Sequence, residues 1–130
     1  MAGMEEIERS YTTKVAGQET KEKTMISQDT INEITKHIIQ DYQPERIILF
    51  GSYALGNANS DSDLDLLIIS DNEKELPRRK RGLALLYKLR KYHFSKDILF
   101  YTKDEIDRWK DVNSAFITEA IQEGVVLYGK

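Results

Sequence analysis

Cysteine is absent from this 130-residue sequence, and histidine occurs only as His37 and His93. The first absence removes disulfides and thiolate metal sites, and it fits a reducing compartment. The two histidines are then the only soft nitrogen ligands. Neither has a ligand-like neighbour along the chain, so each reads as an ordinary surface or partly buried side chain. Long apolar runs are missing too, as is a signal-like hydrophobic stretch, and the expectation is a soluble cytoplasmic protein with no membrane contact. Nor is there an excess of positive charge: the net charge of −3 at pH 7 argues against a dedicated nucleic-acid binder. A chain of this length makes one domain, which can bury about two thirds of its unfolded surface without covalent staples.

What is present is concentrated between Ile47 and Ser70, IILFGSYALGNANSDSDLDLLIIS. Ile47 to Phe50 is short, β-rich and uninterrupted, as in a strand buried on both faces, although pattern alone does not separate it from a buried helix. Gly51 lets the backbone turn and approach a ligand closely. Ser52 is expected to cap a short helix through Leu55, with its hydroxyl and the free N–H groups facing a phosphate. Ten residues later comes Asp63-Leu64-Asp65. On a strand, Asp63 and Asp65 share one face about 6–7 Å apart while Leu64 and Leu66 fill the other. Carboxylates so placed repel by roughly 4 kcal/mol per pair at about 4 Å in an effective dielectric of about 20, which favours cations between them. Hard oxygen ligands select magnesium, and a pair of such ions would clamp the attacking and leaving oxygens of a phosphoryl displacement. The bland alternative makes Gly-Ser a turn with a helix cap and Asp61, Ser62 and Asp63 polar turn residues. It leaves the Asp65 side chain needing a partner among Leu and Ile neighbours.

Phe50-Gly51-Ser52-Tyr53-Ala54, Gly56 and Ser62-Asp63-Leu64-Asp65-Leu66 together resemble the signature of the minimal nucleotidyltransferases, small relatives of the DNA polymerase β palm. The resemblance runs from about Ile26 to Tyr128. It implies an α/β nucleotidyltransferase fold, a mixed β-sheet with flanking helices. It also implies transfer of a nucleotide, AMP from ATP, to a hydroxyl with release of pyrophosphate. Gly51 and Ser52 would hold the β- and γ-phosphates. Asp63, Asp65 and Asp97 would be the catalytic carboxylates and the ligands of two magnesium ions, Asp97 matching the family's third carboxylate on the neighbouring strand and helping to deprotonate the acceptor. The chain departs from many minimal members at Leu55, where they carry arginine, so one phosphate or acceptor contact is missing or supplied by Arg78–Arg81.

Around that stretch the pattern is plainer. Residues 1–24 are polar and of mixed charge, and predict a flexible N-terminal extension, or a weak helix around Glu5–Arg9, ahead of a domain over residues 25–130. Ser27 is placed to cap a helix whose Ile31, Ile34, Ile38 and Ile39 share a face, and which ends before Pro44. Pro77 predicts the start of one continuous helix to about Tyr92, with Leu83, Leu86, Leu89 and Ala84 inward. Its basic residues read either as a solvated face or as a docking surface for triphosphate, an acidic partner or RNA. On the second reading Arg78 to Arg81 curl toward the site while Lys88 to Lys91 lie about 15 Å away. Lys96 to Thr102 has strand composition, and a structural reading of Asp97 pairs it with Lys96 or Arg90. Thr102 to Glu105 reads as a capped helix start. Asn113 or Ser114 is placed to cap a last helix that Gly124 stops, before a closing strand at Val125 to Tyr128. Trp109, Phe116 and Tyr128 are expected in the core.

The acceptor is not written in this chain. Larger relatives of the resembled family add a domain to bind theirs, and no residues remain here to build one. Similar single-domain members are antitoxins paired with an all-helical HEPN ribonuclease toxin, which they silence by adding AMP to a toxin tyrosine. The HEPN signature, arginine then histidine after four to six residues, does not occur here, so such a toxin would be a separate chain and the assembly a hetero-oligomer. Two other readings stand beside it: a module of the same fold that masks a toxin by contact alone, and transfer to a small molecule or RNA.

Overall fold

Ser27 opens the first helix as its composition predicts: its Oγ accepts from Thr30 N–H at 3.1 Å and α1 follows over Gln28–Tyr42. The computed structural model describes residues 25–109 and 116–129. The extension over residues 1–24, the caps at Asn113 and Ser114 and the side chain of Phe116 lie outside them. Helix α1 ends on Gln43, which takes a left-handed φ of 52° and donates its N–H to the Ile39 carbonyl at 3.1 Å, and Pro44 then bars continuation.

The strands are β1 Arg46–Phe50, β2 Leu64–Ile69, β3 Lys96–Tyr101 and β4 Val125–Tyr128, in the sheet order β3-β2-β1-β4. The β1 strand runs antiparallel to β2 and β4, whereas β2 and β3 are parallel, so the sheet is mixed. Between β1 and β2 lies the short α2, Ser52–Leu55. Strand alternation sends Leu64, Leu66, Ile68, Ile47 and Leu49 to one face, where Ile31, Ile34 and Ile38 of α1 and Leu85 and Leu89 cover them. Ile48, Leu67, Ile69 and Tyr101 face the other way, onto Ile106 of α4 (Lys103–Trp109) and Ile117 and Ala120 of α5 (Phe116–Glu123). Each fully buried isoleucine or leucine contributes roughly 1.5–3 kcal/mol, so the larger first face carries most of the stability.

The continuous helix expected from Pro77 to Tyr92 is broken. A 3-10 turn over Arg78–Lys80 gives way to extended backbone at Arg81 and a left-handed Gly82, φ 69°, before α3 over Leu83–Lys88 and a second 3-10 turn at Leu89–Lys91. Two tertiary demands override the helical pattern. The Arg81 side chain is drawn inward, 5 % exposed, to pair with Glu105. The Phe100 ring lies where a Cβ on residue 82 would stand. The stripe shifts as a result: Leu85 and Leu89 are buried and Leu86 half-buried, while Leu83 and Ala84 are exposed. Trp109 and Tyr128, expected in the core, are instead 45 % and 39 % exposed. The two-turn α4 seats only Ile106 inside, and Tyr128 lies on an edge strand whose Val125 and Val126 are exposed as well. Among the described residues no helix is long and apolar enough to cross a membrane.

Candidate active site

One end of the sheet gathers the residues of the central stretch. The β2–β3 pairing puts Asp65 opposite Asp97, and residues in register on parallel strands point to the same face, with strands about 4.8 Å apart. On the other side Asp65 stands opposite Phe50, the last residue of β1. Asp63 is exposed and lies one residue before β2 begins, while Leu64 and Leu66 are fully buried on the opposite face. Alternation therefore turns Asp65 away from Leu64 and Leu66 at this end of the strand, while Leu67 and Ile69 farther along its own face are buried.

Gly51 joins the turn to this carboxylate. Its backbone, φ 76° and ψ −155°, is open to glycine, and a methyl group at its Cα would collide with Asp65 Oδ2. Gly51, not Ser52, is the cap residue of α2. Its carbonyl accepts from Ala54 and Leu55, Ser52 is the first helical residue, and no side chain closes the helix start. The N–H groups of Ser52 and Tyr53 thus have no partner among the described residues. Tyr53 has a second task that sequence pattern did not disclose, since its hydroxyl accepts from Ile26 N–H at 3.0 Å and ties α2 to the start of the described chain. The loop into β2 is shaped by Asn59 and Ser62: Ser62 Oγ accepts from Asn59 N–H at 2.9 Å and Asn59 Oδ1 from Asp61 N–H at 2.8 Å.

Burial pushes the Asp65 carboxyl up to about 6, and the charges of Asp97 and Asp63 push the same way. Asp97 and Asp63 therefore both act on Asp65. Among the described residues no three acidic, histidine or cysteine side chains are gathered as a ready-made metal cage, as mutual repulsion of like charges favours. The donors nonetheless fit a hard divalent cation: they are all carboxylate oxygens, and the innermost carries a charge that no neighbouring cation compensates.

The structural reading of Asp97 does not hold. Lys96 turns its ammonium to the carbonyls of Tyr92 and Phe94, at 2.6 and 3.2 Å, and Arg90 lies 5.3 Å from the Tyr87 ring. No ion pair joins Asp97 to either. Lys96 is the residue here that sequence reasoning undervalued: half-buried, with its ammonium pKa lowered by burial, it lines a hollow of about 320 Å³ with Asp97, Leu86, Phe94 and Ile98. A lysine at a strand start carries no signal that sets it apart from a surface lysine.

The basic residues do not converge on the aspartates. Arg78 sits 4.5 Å from the Tyr101 ring, at the far end of β3 and roughly 13 Å along the strand from Asp97, and Arg81 is committed to Glu105. Neither therefore replaces the arginine absent at Leu55, which is 53 % exposed. Lys88 pairs with Asp41 at 3.5 Å on the surface, and Lys91 lies over the Tyr92 ring, so the later basic residues form a solvated face.

Comparison with known proteins agrees with this geometry. A family model described as the nucleotidyltransferase domain matches residues 31–124. The provisionally named protein adenylyltransferase MJ0141 of Methanocaldococcus jannaschii is 36 % identical over 81 residues, 62 % of this chain and 76 % of that protein. A second from the same organism, MJ1379, is 32 % identical over 92 residues, 70 % of this chain and 84 % of its own. Among solved structures, a provisionally named nucleotidyltransferase from Sulfolobus solfataricus aligns with a TM-score of 0.51 at 20 % identity, covering 77 % of this chain and 78 % of that one. A structure described as a toxin–antitoxin with AMP-PNP gives a TM-score of 0.51 at 21 % identity over 76 % and 73 %. At such identities the structures speak for the fold alone.

Proposed function

The chain belongs to the nucleotidyltransferase domain family and is a transferase of that class, and from this premise we propose that it moves AMP from ATP to a hydroxyl on a partner protein. The observation that carries the reading is the alignment of Asp65 with Asp97 beside Gly51, two carboxylates and a phosphate-sized turn at one end of one sheet. The relatives named as protein adenylyltransferases support a protein acceptor, and the toxin–antitoxin neighbour with AMP-PNP supports a toxin as that protein and an adenine nucleotide as donor. The specific form proposed is an antitoxin that adds AMP to a tyrosine of a HEPN-type ribonuclease toxin, a separate chain, in the cytoplasm.

In this mechanism Ser52 Oγ and the free N–H groups at the start of α2 bind the β- and γ-phosphates and fix the triphosphate against the sheet end. Asp63, Asp65 and Asp97 would hold two magnesium ions, which supply positive charge to the phosphate oxygens when bound. Asp97, the more exposed of the two paired carboxylates, faces the incoming hydroxyl and takes its proton. The hydroxyl oxygen forms a bond to the α-phosphorus as the bond from that phosphorus to the bridging oxygen breaks, and pyrophosphate leaves with the electron pair. No covalent enzyme intermediate is required. Incubation with labelled ATP and magnesium, alone and with the product of the adjacent gene, read by intact mass, tests the proposal. A gain of one or more AMP units on the partner, absent with Asp63→Asn, supports it. A stable complex that silences the partner without any mass change would replace it with masking by contact.

A further inference from the structure

The outer edge of β3 takes no part in the chemistry above. Among the described residues this strand pairs with β2 alone and so borders the sheet. At the two ends of that pairing Leu64 N–H donates to Ser95 O and Ser70 N–H to Tyr101 O, both at 3.0 Å. A parallel ladder alternates, so the backbone groups of Asp97, Leu99 and Tyr101 turn in to β2, and those of Lys96, Ile98 and Phe100 turn outward. Arg81 marks the same sense from outside, its Nη1 donating to Phe100 O at 3.2 Å. The guanidinium thereby closes the edge at Phe100. The outward N–H and C=O of Ile98 have no partner among the described residues. A free edge of this kind accepts a further strand.

The space beside Ile98 is hollow on both sides. The cavity of about 320 Å³ at Asp97 and a second of about 490 Å³ at Arg78, Arg79 and Phe100 both border Leu86 and Ile98, so the two lie side by side along the strand and together make a groove-like edge. Its ends carry opposite charge. Asp97 stands at one, beside a Lys96 whose ammonium is held by the carbonyls of Tyr92 and Phe94; at the other Arg78 and Arg79 are exposed and have no ion pair among the described residues. From Asp97 to Tyr101 is about 13 Å, roughly four residues of extended chain.

We propose that this groove docks the protein substrate as an added strand: an extended segment hydrogen-bonds to Ile98, sets its hydroxyl side chain beside Asp97, and lays acidic side chains about four residues away on Arg78 and Arg79. The hydroxyl end of the proposal rests on the transfer reading above; the groove itself rests on the free edge and the arginines. Arg81 limits the register, since a strand cannot bond past the occupied Phe100 carbonyl, and this ties the hydroxyl's position to the charge. A nucleic-acid strand fits less well, because it has no backbone N–H to donate to the outward Ile98 carbonyl.

The probe is a short fluorescent peptide with tyrosine near one end, glutamates near the other and β-branched residues between, titrated into the full chain and read by anisotropy and amide hydrogen exchange. Binding should weaken roughly tenfold or more with Arg79→Glu, and equally when lysines replace the peptide's glutamates, while the affinity of Arg79→Glu for magnesium-ATP stays at the parent value. On saturation the Ile98 amide should exchange roughly tenfold more slowly, and that of Leu99, already in the ladder, should change little. Ile98→Pro removes the outward donor without touching the ladder, and where magnesium-ATP binding shows it folded it should bind the peptide more weakly. Three results overturn the proposal: no peptide binding by a protein that binds magnesium-ATP, peptide binding without protection at Ile98, or preference for a single-stranded RNA of similar length. Failure of ATP binding with Ile98 still protected would sink the transfer reading and the hydroxyl delivery together, and would support the strand groove alone.

Discussion

The two ends of the sheet handle charge in opposite ways. At the far end the charged groups around Arg81 are paired. Arg81 makes a bidentate pair with Glu105, at 2.8 and 3.2 Å, and also donates to the carbonyls of Leu76 and Phe100. Glu105 accepts in turn from Thr102 N–H while Thr102 Oγ1 accepts from Glu105 N–H, the reciprocal cap at the start of α4. Glu73 receives the Tyr42 hydroxyl at 3.0 Å and Gly82 N–H at 2.6 Å. At the near end Asp65 meets two like charges and no compensating cation. Charge that is satisfied holds a fold together; charge left unsatisfied on a rigid strand is stored for a ligand.

The sharpest test of that contrast is Asp65→Asn. AMP transfer should fall by ~10³-fold or more, as when a group acting on transition-state charge is removed, while the metal-free fold becomes more stable at pH 7 by ~1 kcal/mol after allowance for solvent screening. Activity lost together with stability would make Asp65 a structural residue. Arg81→Ala should do the reverse: ~3–4 kcal/mol of stability lost in urea unfolding, since Glu105 is left unpaired, with magnesium-ATP affinity unchanged in the fraction that remains folded. A glycine at each end extends the comparison. Gly82→Ala should cost about 1–3 kcal/mol by driving a methyl into the Phe100 ring, whereas Gly51→Ala, driving one into Asp65, should abolish transfer with a smaller change in urea midpoint.

Stability against pH separates the two ends by sign. Asp65 has its folded pKa raised to about 6, so its contribution is present in acid and lost as pH rises through that value. The hydrogen bonds from Arg81 hold Glu105 below the usual carboxylate range, so its contribution is present at neutral pH and lost as pH falls. Denaturation midpoints should therefore show Asp65→Asn gaining on the parent as pH rises to about 6 and keeping that lead above it, and Glu105→Gln closing on it in acid. The smallest effect expected is from Ser52→Ala, which should weaken magnesium-ATP binding by ~1 kcal/mol in a calorimetric titration. A variant equal to the parent would leave the backbone at Gly51 and Ser52 as the whole of the phosphate grip.

Much of this was legible because it is local. The caps at Ser27 and Thr102, the stop before Pro44 and the alternation that turns Asp65 away from Leu64 and Leu66 each depend on residues a few positions apart. The stretch from Gly51 to Asp65 was legible for the same reason, as glycine, serine and paired aspartates carry their chemistry in their spacing. What misled was everything set at long range. The basic run after Pro77 has helical composition, and nothing in it says that Arg81 will leave the helix for Glu105, twenty-four positions on, or that Phe100 will claim the space above Gly82. Trp109 and Tyr128 have the composition of core residues, but coverage by neighbouring elements decides burial.

By itself the sequence determined the strand faces, the starts of α1 and α4 and the types of residue at the end of the sheet, because periodicity and capping act within a turn or a strand, while the motif between Gly51 and Asp65 carried the resemblance to the nucleotidyltransferases. Only the tertiary structure decided that Asp97 stands in register with Asp65, that Gly51 makes room for that carboxylate, that Arg78 and Arg81 serve the opposite end, and that no further described strand covers the edge of β3. Those outcomes depend on which strands meet and in what register, and pairing between distant segments is chosen by the packing of the whole core.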